Sequence, residues 1–421
     1  MNLFEQTRQF HQNGDFHQAL TGYQTLLADE PDNPQLCYLL ALLYFEKGDI
    51  NEAGHWFSRT VSLAPEAAPA HYNLGVIFFE QGDFSKAAKA YQEAAKLCPD
   101  DGDIFFNLGL TWKKLRQFDK ALDCYKKVLS LSPGDHDALY NIGVLYKDMG
   151  QSAHSIRAFE QVLEINPNHA QSLNNLGYLY HKEGESKKAI ATYKKLVALG
   201  HNATMAAHML AALSGETTAT APGAYVRDVF DSFSDNYDES LVAKLGYTTP
   251  ALLREMLAGT DNRRFESALD MGCGTGLAGE AFHDVTDKLI GLDLSPKMLA
   301  LAEQKGLYTS LHETDICSFL KESQGSFDLF LAADVFVYIG DLDDIFSLVK
   351  DRAHADALFL FSTELADQDF SLKETGRYGH AENYIRQIAE NNGLAVINVT
   401  AANIRKEKGE WIAGNLYLLQ A

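Results

Sequence analysis

Several things are scarce in this chain. Cysteine is one: five thiols in 421 residues, at 37, 98, 124, 273 and 317, with no C-x-x-C pair. An odd, scattered set excludes a disulfide scaffold and leaves free thiols in a reducing cytoplasm as the expectation. Positive charge is another, since 36 Lys+Arg face 57 Asp+Glu for a net −21. The deficit is uneven: residues 1–210 carry 19 basic and 24 acidic side chains, residues 211–421 carry 17 and 33. So acidic a second half has little with which to neutralise phosphates, and nucleic acid is not expected as its ligand. No apolar run approaches the roughly 18–20 residues that cross a bilayer, so no membrane span is expected. The opening Met-Asn-Leu-Phe-Glu-Gln-Thr-Arg lacks a basic region followed by an apolar one, so no secretory signal is expected either. No His/Cys/Asp cluster has metal-ligand spacing, and no metal is expected. What remains is 46% hydrophobic, enough to bury cores, and too long for one ordinary domain.

The first half repeats itself. Prolines fall at 31, 65, 99, 133 and 167, each 34 residues after the last. Gly75, Gly109, Gly143 and Gly177 keep the same step, as do Ala19, Ala53, Ala87, Ala121 and Ala189. So do Tyr23, Phe57, Tyr91, Tyr125, Phe159 and Tyr193. Each unit predicts two antiparallel helices, with glycine admitting a close neighbour and an Ala/aromatic pair at i, i+4 on the second helix. Proline ends that helix. The pattern resembles the tetratricopeptide repeat (TPR), in six units over residues 1 to about 201. Residues 203–213 predict a helix capping the last exposed face.

Asn73, Asn107, Asn141 and Asn175 precede the repeat glycines by two residues. A row of amides offers donor and acceptor to an extended peptide. The TPR arrays of O-linked N-acetylglucosamine transferases carry such an asparagine ladder, so the resemblance implies a peptide groove and a protein or peptide partner. The alternative is that these amides serve neighbouring helices.

Residues 214–223 are small, polar and unperiodic, which predicts a linker. The 34-residue period then ends, and helical patterning runs from Tyr225 to Ala258. Ser267–Met271 predicts a strand ending at Asp270, followed by Gly272-Cys-Gly-Thr-Gly276. Such glycines turn the backbone tightly at the carboxyl edge of a parallel sheet. A second strand, Lys288–Asp293, ends in an acid 21 positions after the first glycine, where a carboxylate can accept from a ribose diol. Asp315 ends a third segment, 310–315, where it can take an adenine amino group. Further strands are expected at 327–334 and near 357–362. An acid just before the loop repels a pyrophosphate but can pair with an ammonium, which selects S-adenosylmethionine over a dinucleotide.

Residues 225–421 resemble a class I methyltransferase, and the whole chain resembles the bacterial family of predicted methyltransferases with N-terminal TPR repeats. The resemblance rests on Val229–Asp238, Leu269–Gly276, Gly291–Ser295, Ala332–Phe336 and Gly376–His380. It implies a TPR solenoid at 1–213, a linker at 214–223 and an α/β Rossmann-like domain with a seven-stranded sheet at 224–421, its helical cover at 224–259. It also implies that Asp270, Gly272, Gly274 and Gly276 surround the methionine portion and Asp293 the ribose. Leu294 and Met298 would flank the adenine, and Asp315 and Ile316 its edge. Phe233 and Tyr237 either fold over the cofactor or fill a helix core. Cys273 is a loop filler rather than a nucleophile.

Methyl transfer from a sulfonium needs alignment and somewhere for a proton to go. Asp334, at the end of the fourth strand, stands beside the methyl or holds the cofactor's amino group; Tyr338 lies one turn on. Arg377 can bind an acidic acceptor bidentately or sit in a local ion pair. His380 can serve as general base or cap the helix 381–389. Residues 393–400 and 411–419 predict an antiparallel hairpin that completes the sheet. The functions left standing are an S-adenosylmethionine-dependent methyltransferase whose array recruits a protein, a small-molecule methyltransferase with an array used for assembly, and a scaffold with an inactive domain.

Overall fold

The 34-residue step reappears in the helix starts. In the computed structural model, second helices of the repeats begin at Phe16, Ile50, Phe84, Phe118, Ser152 and Ser186, and first helices at Pro34, Ala68, Gly102, His136 and Ala170. The structure describes residues 2–200, 203–231, 238, 240–259, 263–407 and 409–421. They form two compact units, Met1–Gly184 and Glu185–Ala421. The 214–223 segment lies inside the second.

In the first unit each turn is built by local chemistry. Gly48 and Gly82 take φ of 82° and 77°, a left-handed conformation that suits glycine, and each is followed by an aspartate at the next N-cap. The repeat glycines act differently. A Cβ on Gly75, Gly109 or Gly143 would stand 2.6–2.8 Å from the ring of Tyr91, Tyr125 or Phe159. Those rings are fully or almost fully buried and pack against Tyr72, Phe106 and Tyr140 of the first helices, at 5.6–5.7 Å between centroids, the first two pairs edge-on and the third tilted.

The second unit opens with helices at Ser186–Ala198, Thr204–Ser214, Gly223–Asp231 and Thr249–Ala258. Nine strands follow among the described residues: β1 (Phe265–Met271), β2 (Thr286–Asp293), β3 (Ser310–Glu313), β4 (Phe327–Ala332), β5 (Ala353–Leu365), β6 (Phe370–Leu372), β7 (Tyr378–His380), β8 (Ala395–Glu407) and β9 (Glu410–Gln420). β3-β2-β1-β4-β5 run parallel, with β9 antiparallel to β5 and β8 antiparallel to β9. That is the expected set of seven. The expectation missed β6 and β7. The chain leaving β5 doubles back at Gly376, and β7 joins the end of β5 in register Glu364↔Gly379, so the stretch carrying Arg377 and His380 forms a small extension of the sheet. Helices cover the sheet at Leu277–Phe282, Pro296–Lys305, Ile316–Glu322, Asp343–Arg352 and Glu382–Asn391. The core on one face is aromatic, with Phe330, Phe346, Phe359 and Phe361 buried and Phe361 stacked on Tyr417 at 4.9 Å.

Candidate active site

Parallel strands end their carboxyl edges together, and β1, β2 and β4 here end around a cavity of about 1020 Å³. The turn after β1 is held open by backbone geometry. Gly272, Gly274 and Gly276 have φ of 77°, 54° and 92°, and a Cβ on Gly272 would meet Val335 Cγ2 at 2.7 Å. Cys273 N–H donates to Leu292 O at 2.7 Å, tying the loop to the end of β2.

Of the residues singled out by sequence, Gly272, Cys273, Gly274, Asp293, Leu294, Asp315, Ile316, Asp334, Tyr338 and Arg377 line this cavity. Asp293 accepts from Gly274 N at 2.9 Å and Ser295 N at 2.8 Å. Burial raises its pKa against those hydrogen bonds. Asp315 caps the helix Ile316–Glu322 by accepting from Ser318 N at 2.9 Å. Burial pushes the Cys273 thiol well above its usual value, and the Asp270 and Asp293 charges add to the effect, so it is no thiolate nucleophile.

Four expected residues stand outside the cavity lining. Gly276 begins the helix Leu277–Phe282, with the Tyr308 ring behind it. Met298 is fully buried. Asp270 is buried behind the loop, where Tyr308 donates to its Oδ2 at 2.7 Å and its Oδ1 has no partner among the described residues. Burial pushes this carboxyl up to about 7, with the Asp293 charge adding to the rise and Tyr308 opposing it. His380 does not face the cavity. Its ring is sealed in, Nε2 donating to Ile339 O and Gly340 O at 2.9 Å, and burial lowers its pKa to about 4. Nor does it cap the next helix, whose N-cap is Ala381 with no side-chain cap bond. Phe233 and Tyr237 lie outside the described residues.

The wall after β4 carries Asp334, which the sequence singled out, together with partners that sequence reasoning did not find. Asp334 takes φ +61°, rare for a residue with a Cβ, and its N–H donates to Ser362 Oγ at 2.8 Å. Its carboxylate receives Arg405 Nη1 at 2.5 and 2.6 Å, while Arg405 Nη2 reaches Glu364 at 2.5 Å. Lys373 completes the set, at 2.8 Å from Glu364. Burial alone would raise Glu364, but the Arg405 and Lys373 charges hold it below its ordinary value. Arg377 is 3.2 Å from Glu407, the local ion pair that sequence left open, and it still lines the cavity beside Tyr338. Arg405 sits on β8 after an irregularity in the strand pairing. Its partners are 71 and 41 residues away, and no spacing rule joins them.

In the repeats, the four asparagines are half-buried. Asn73 and Asn107 donate to Tyr38 and Tyr72 of the preceding repeat, at 3.4 and 2.9 Å. The corresponding ring for Asn141 is Phe106, which has no hydroxyl, and Asn141 turns to Asp137 O on its own helix at 2.9 Å. Asn175 donates to Gln171 O and accepts from Lys147 Nζ at 2.7 Å. The amide donors therefore link or brace helices.

Residues 268–353 match the family model of a methyltransferase domain. Tetratricopeptide-repeat models match 10–74, 68–101, 102–135, 136–169 and 158–191. The chain carries both. An uncharacterised protein of Haemophilus influenzae is 30% identical over 117 residues, 26% of this chain and 46% of that one. An 18S rRNA (guanine(1575)-N(7))-methyltransferase of Saccharomyces cerevisiae is 33% identical over 85 residues, 20% of this chain and 31% of that one. The chain thus spans less than half the length of either relative. Among solved structures, MamA covers 39% of this chain and 96% of its own at 28% identity, with a TM-score of 0.37. YrrB, described as a TPR protein with an unusual peptide-binding site, covers 44% and 96% at 22% identity, with a TM-score of 0.41.

Proposed function

We propose that this chain, with its methyltransferase domain, is an S-adenosylmethionine-dependent methyltransferase. The observation that carries the reading is the cavity at the carboxyl edge of β1, β2 and β4, bounded by Gly272–Gly274, Asp293 and Asp315. The fit is chemical as well as spatial. A Cβ on Gly274 would meet nothing within 4 Å, so the loop leaves open space beside its backbone for a bulky group, and the carboxylates of Asp293 and Asp315 on the lining suit a ligand with hydroxyl and amino groups rather than a pyrophosphate. Behind the loop, the buried Asp270 Oδ1 is an acceptor with no hydrogen-bond partner among the described residues. In this reading Asp293 holds the ribose, Leu294 and Ile316 flank the adenine, and Asp315 meets its edge. The cofactor supplies an activated methyl on a sulfonium. Tyr338 and Arg377 orient the acceptor, and Asp334, fixed by Arg405, sets the electrostatics beside them. His380 is left out of the chemistry, because a sealed, neutral imidazole has no route to an acceptor proton.

The acceptor in this reading is a protein group or a small molecule rather than nucleic acid, given 17 basic against 33 acidic residues in the second half. The repeats dock a polypeptide, and the cytoplasm is the expected site of action. Asn73, Asn107 and Asn141 support docking through the carbonyl side of their amides, their donors being engaged as described, whereas the Asn175 carbonyl already accepts from Lys147. Changing Asn107 and Asn141 together to alanine separates docking from packing: a partner lost at a temperature where the variant is still fully folded favours docking.

Calorimetry with S-adenosylhomocysteine on the full chain tests the cofactor. Asp293→Asn removes a charge-assisted acceptor, for which a loss of about 10- to 150-fold in affinity is expected. Absence of binding by the native chain would refute the reading.

A further inference from the structure

The small, polar stretch after the repeats does not hang free. Ala219 O accepts from Gly340 N at 2.9 Å and Asp341 N at 2.8 Å, and Ala221 N donates to Tyr338 O at 2.9 Å. Thr220 is thereby bridged antiparallel to Ile339. Two residues earlier the same stretch grips another segment. Thr217 Oγ1 accepts from Leu372 N at 3.3 Å, and the Thr218 and Tyr378 hydroxyls are 2.5 Å apart. Upstream, helix Thr204–Ser214 adds an anchor in His208, 3% exposed, whose Nε2 donates to Gly376 O at 2.9 Å. Gly376 has φ +78°, and a Cβ there would meet Met209 Sδ and Tyr225 Oη at 2.8 Å, so this seat is shaped to the helix. Ala211, Ala212 and Ala221 are buried with Leu372 and Tyr378 in one apolar cluster.

The two segments so clasped carry Tyr338 and Arg377, on the cavity wall. The strap itself supplies wall: Ala219, Thr220, Ala221 and Gly223 line the cavity, and a Cβ on Gly223 would be 3.8 Å from Leu294 Cδ1. Sequence alone makes these residues a spacer. A spacer of this composition loses backbone freedom when ordered and gains little burial in return. Hydrogen bonds to two segments, both of them wall, make sense if the fixed backbone has a task at the cavity.

We propose that residues 217–223 are a positioning strap of the cofactor cavity, anchored by helix 204–214, which closes the nucleoside end beside Leu294 and fixes Tyr338. This rests on the reading of the cavity as an S-adenosylmethionine site. The strap recognises no chemical group by itself. It holds the wall that the ligand meets.

The test uses the full chain and S-adenosylhomocysteine as probe. Ala221→Pro removes the one N–H that bonds Tyr338 O and is expected to weaken binding about three- to tenfold, as loss of one hydrogen bond does. Ala221→Gly keeps the N–H and is expected to lose less affinity than Ala221→Pro; an equal loss in both variants overturns the proposal. Hydrogen exchange of the native chain supplies a second arm, which decides if Ala221→Pro does not fold. Saturating ligand should slow amide exchange in 217–223 and 338–341 together, a change that a segment serving only the fold would not show. Unaltered exchange in 217–223 overturns the proposal, as does folded Ala221→Pro binding with native affinity. If the native chain binds no S-adenosylhomocysteine, the cofactor reading itself fails and the strap falls with it.

Discussion

Glycine has opposite tasks in the two halves. In the repeats, Gly75, Gly109 and Gly143 are ordinary helical residues whose missing side chain makes room for a ring. In the loop after β1, Gly272, Gly274 and Gly276 are needed first for their left-handed backbone. One half uses glycine to bring two helices together, and the other uses it to hold backbone against a cavity. The contrast extends to how each half is held. Repeat contacts join neighbours in sequence and recur, whereas the cavity wall is held by ion pairs joining residues far apart.

The largest way to break that contrast is at the wall. Arg405→Leu leaves Asp334 and Glu364 buried without their shared cation, and a loss of about 3–5 kcal/mol is expected in denaturant unfolding. A loss no larger than that of a surface pair would show the wall to be dispensable. Next comes Gly109→Val, which drives a side chain into the Tyr125 ring; overpacking of about 1–3 kcal/mol should lower the melting temperature followed by helical circular dichroism. Asn107→Ala is smaller, about 0.5–1.5 kcal/mol for the bond to Tyr72, whereas Asn141→Ala, whose bond stays within its own turn, should cost less. Equal effects would deny that asparagine links one repeat to the next.

The last effect is the most specific. The folded-state pKa of Asp270 is raised to about 7, above the unfolded value of roughly 3.9. Its protonated form therefore contributes stability that is fully present below the unfolded value and lost as pH rises through about 7. Asp270→Asn should flatten that part of the pH dependence of melting in the ligand-free protein. An unchanged profile would mean that Asp270 is not the group that titrates.

The repeats were legible because everything that builds them recurs at one spacing: the glycine, its ring, the alanine and the proline. The loop was legible too, since Asp270, the glycines and Asp293 are fixed by strand ends. Legibility failed where partners are remote. Tyr308, 38 residues from Asp270, carries no motif. Arg405 looks like one more charge in Asn403-Ile-Arg-Lys-Glu407 until β8 places it against Asp334. His380 misled for the reverse reason: a residue type suited to proton transfer stood near the right strand, and only its burial shows that it faces backbone carbonyls.

The position of β9 bears on how the chain is made. Repeat helices meet partners synthesised just before them, so each pair can settle as it emerges. β5 cannot, because the neighbour that covers one of its edges is β9, which begins 45 residues after β5 ends. At about 5–20 residues per second, that edge waits on the order of 2–9 s while Phe361 lacks the Tyr417 ring that stacks on it. An apolar strand with an open edge is a template for pairing with another nascent chain. Slow translation between residues 365 and 410 should therefore favour aggregation of the nascent α/β half and leave the repeats untouched.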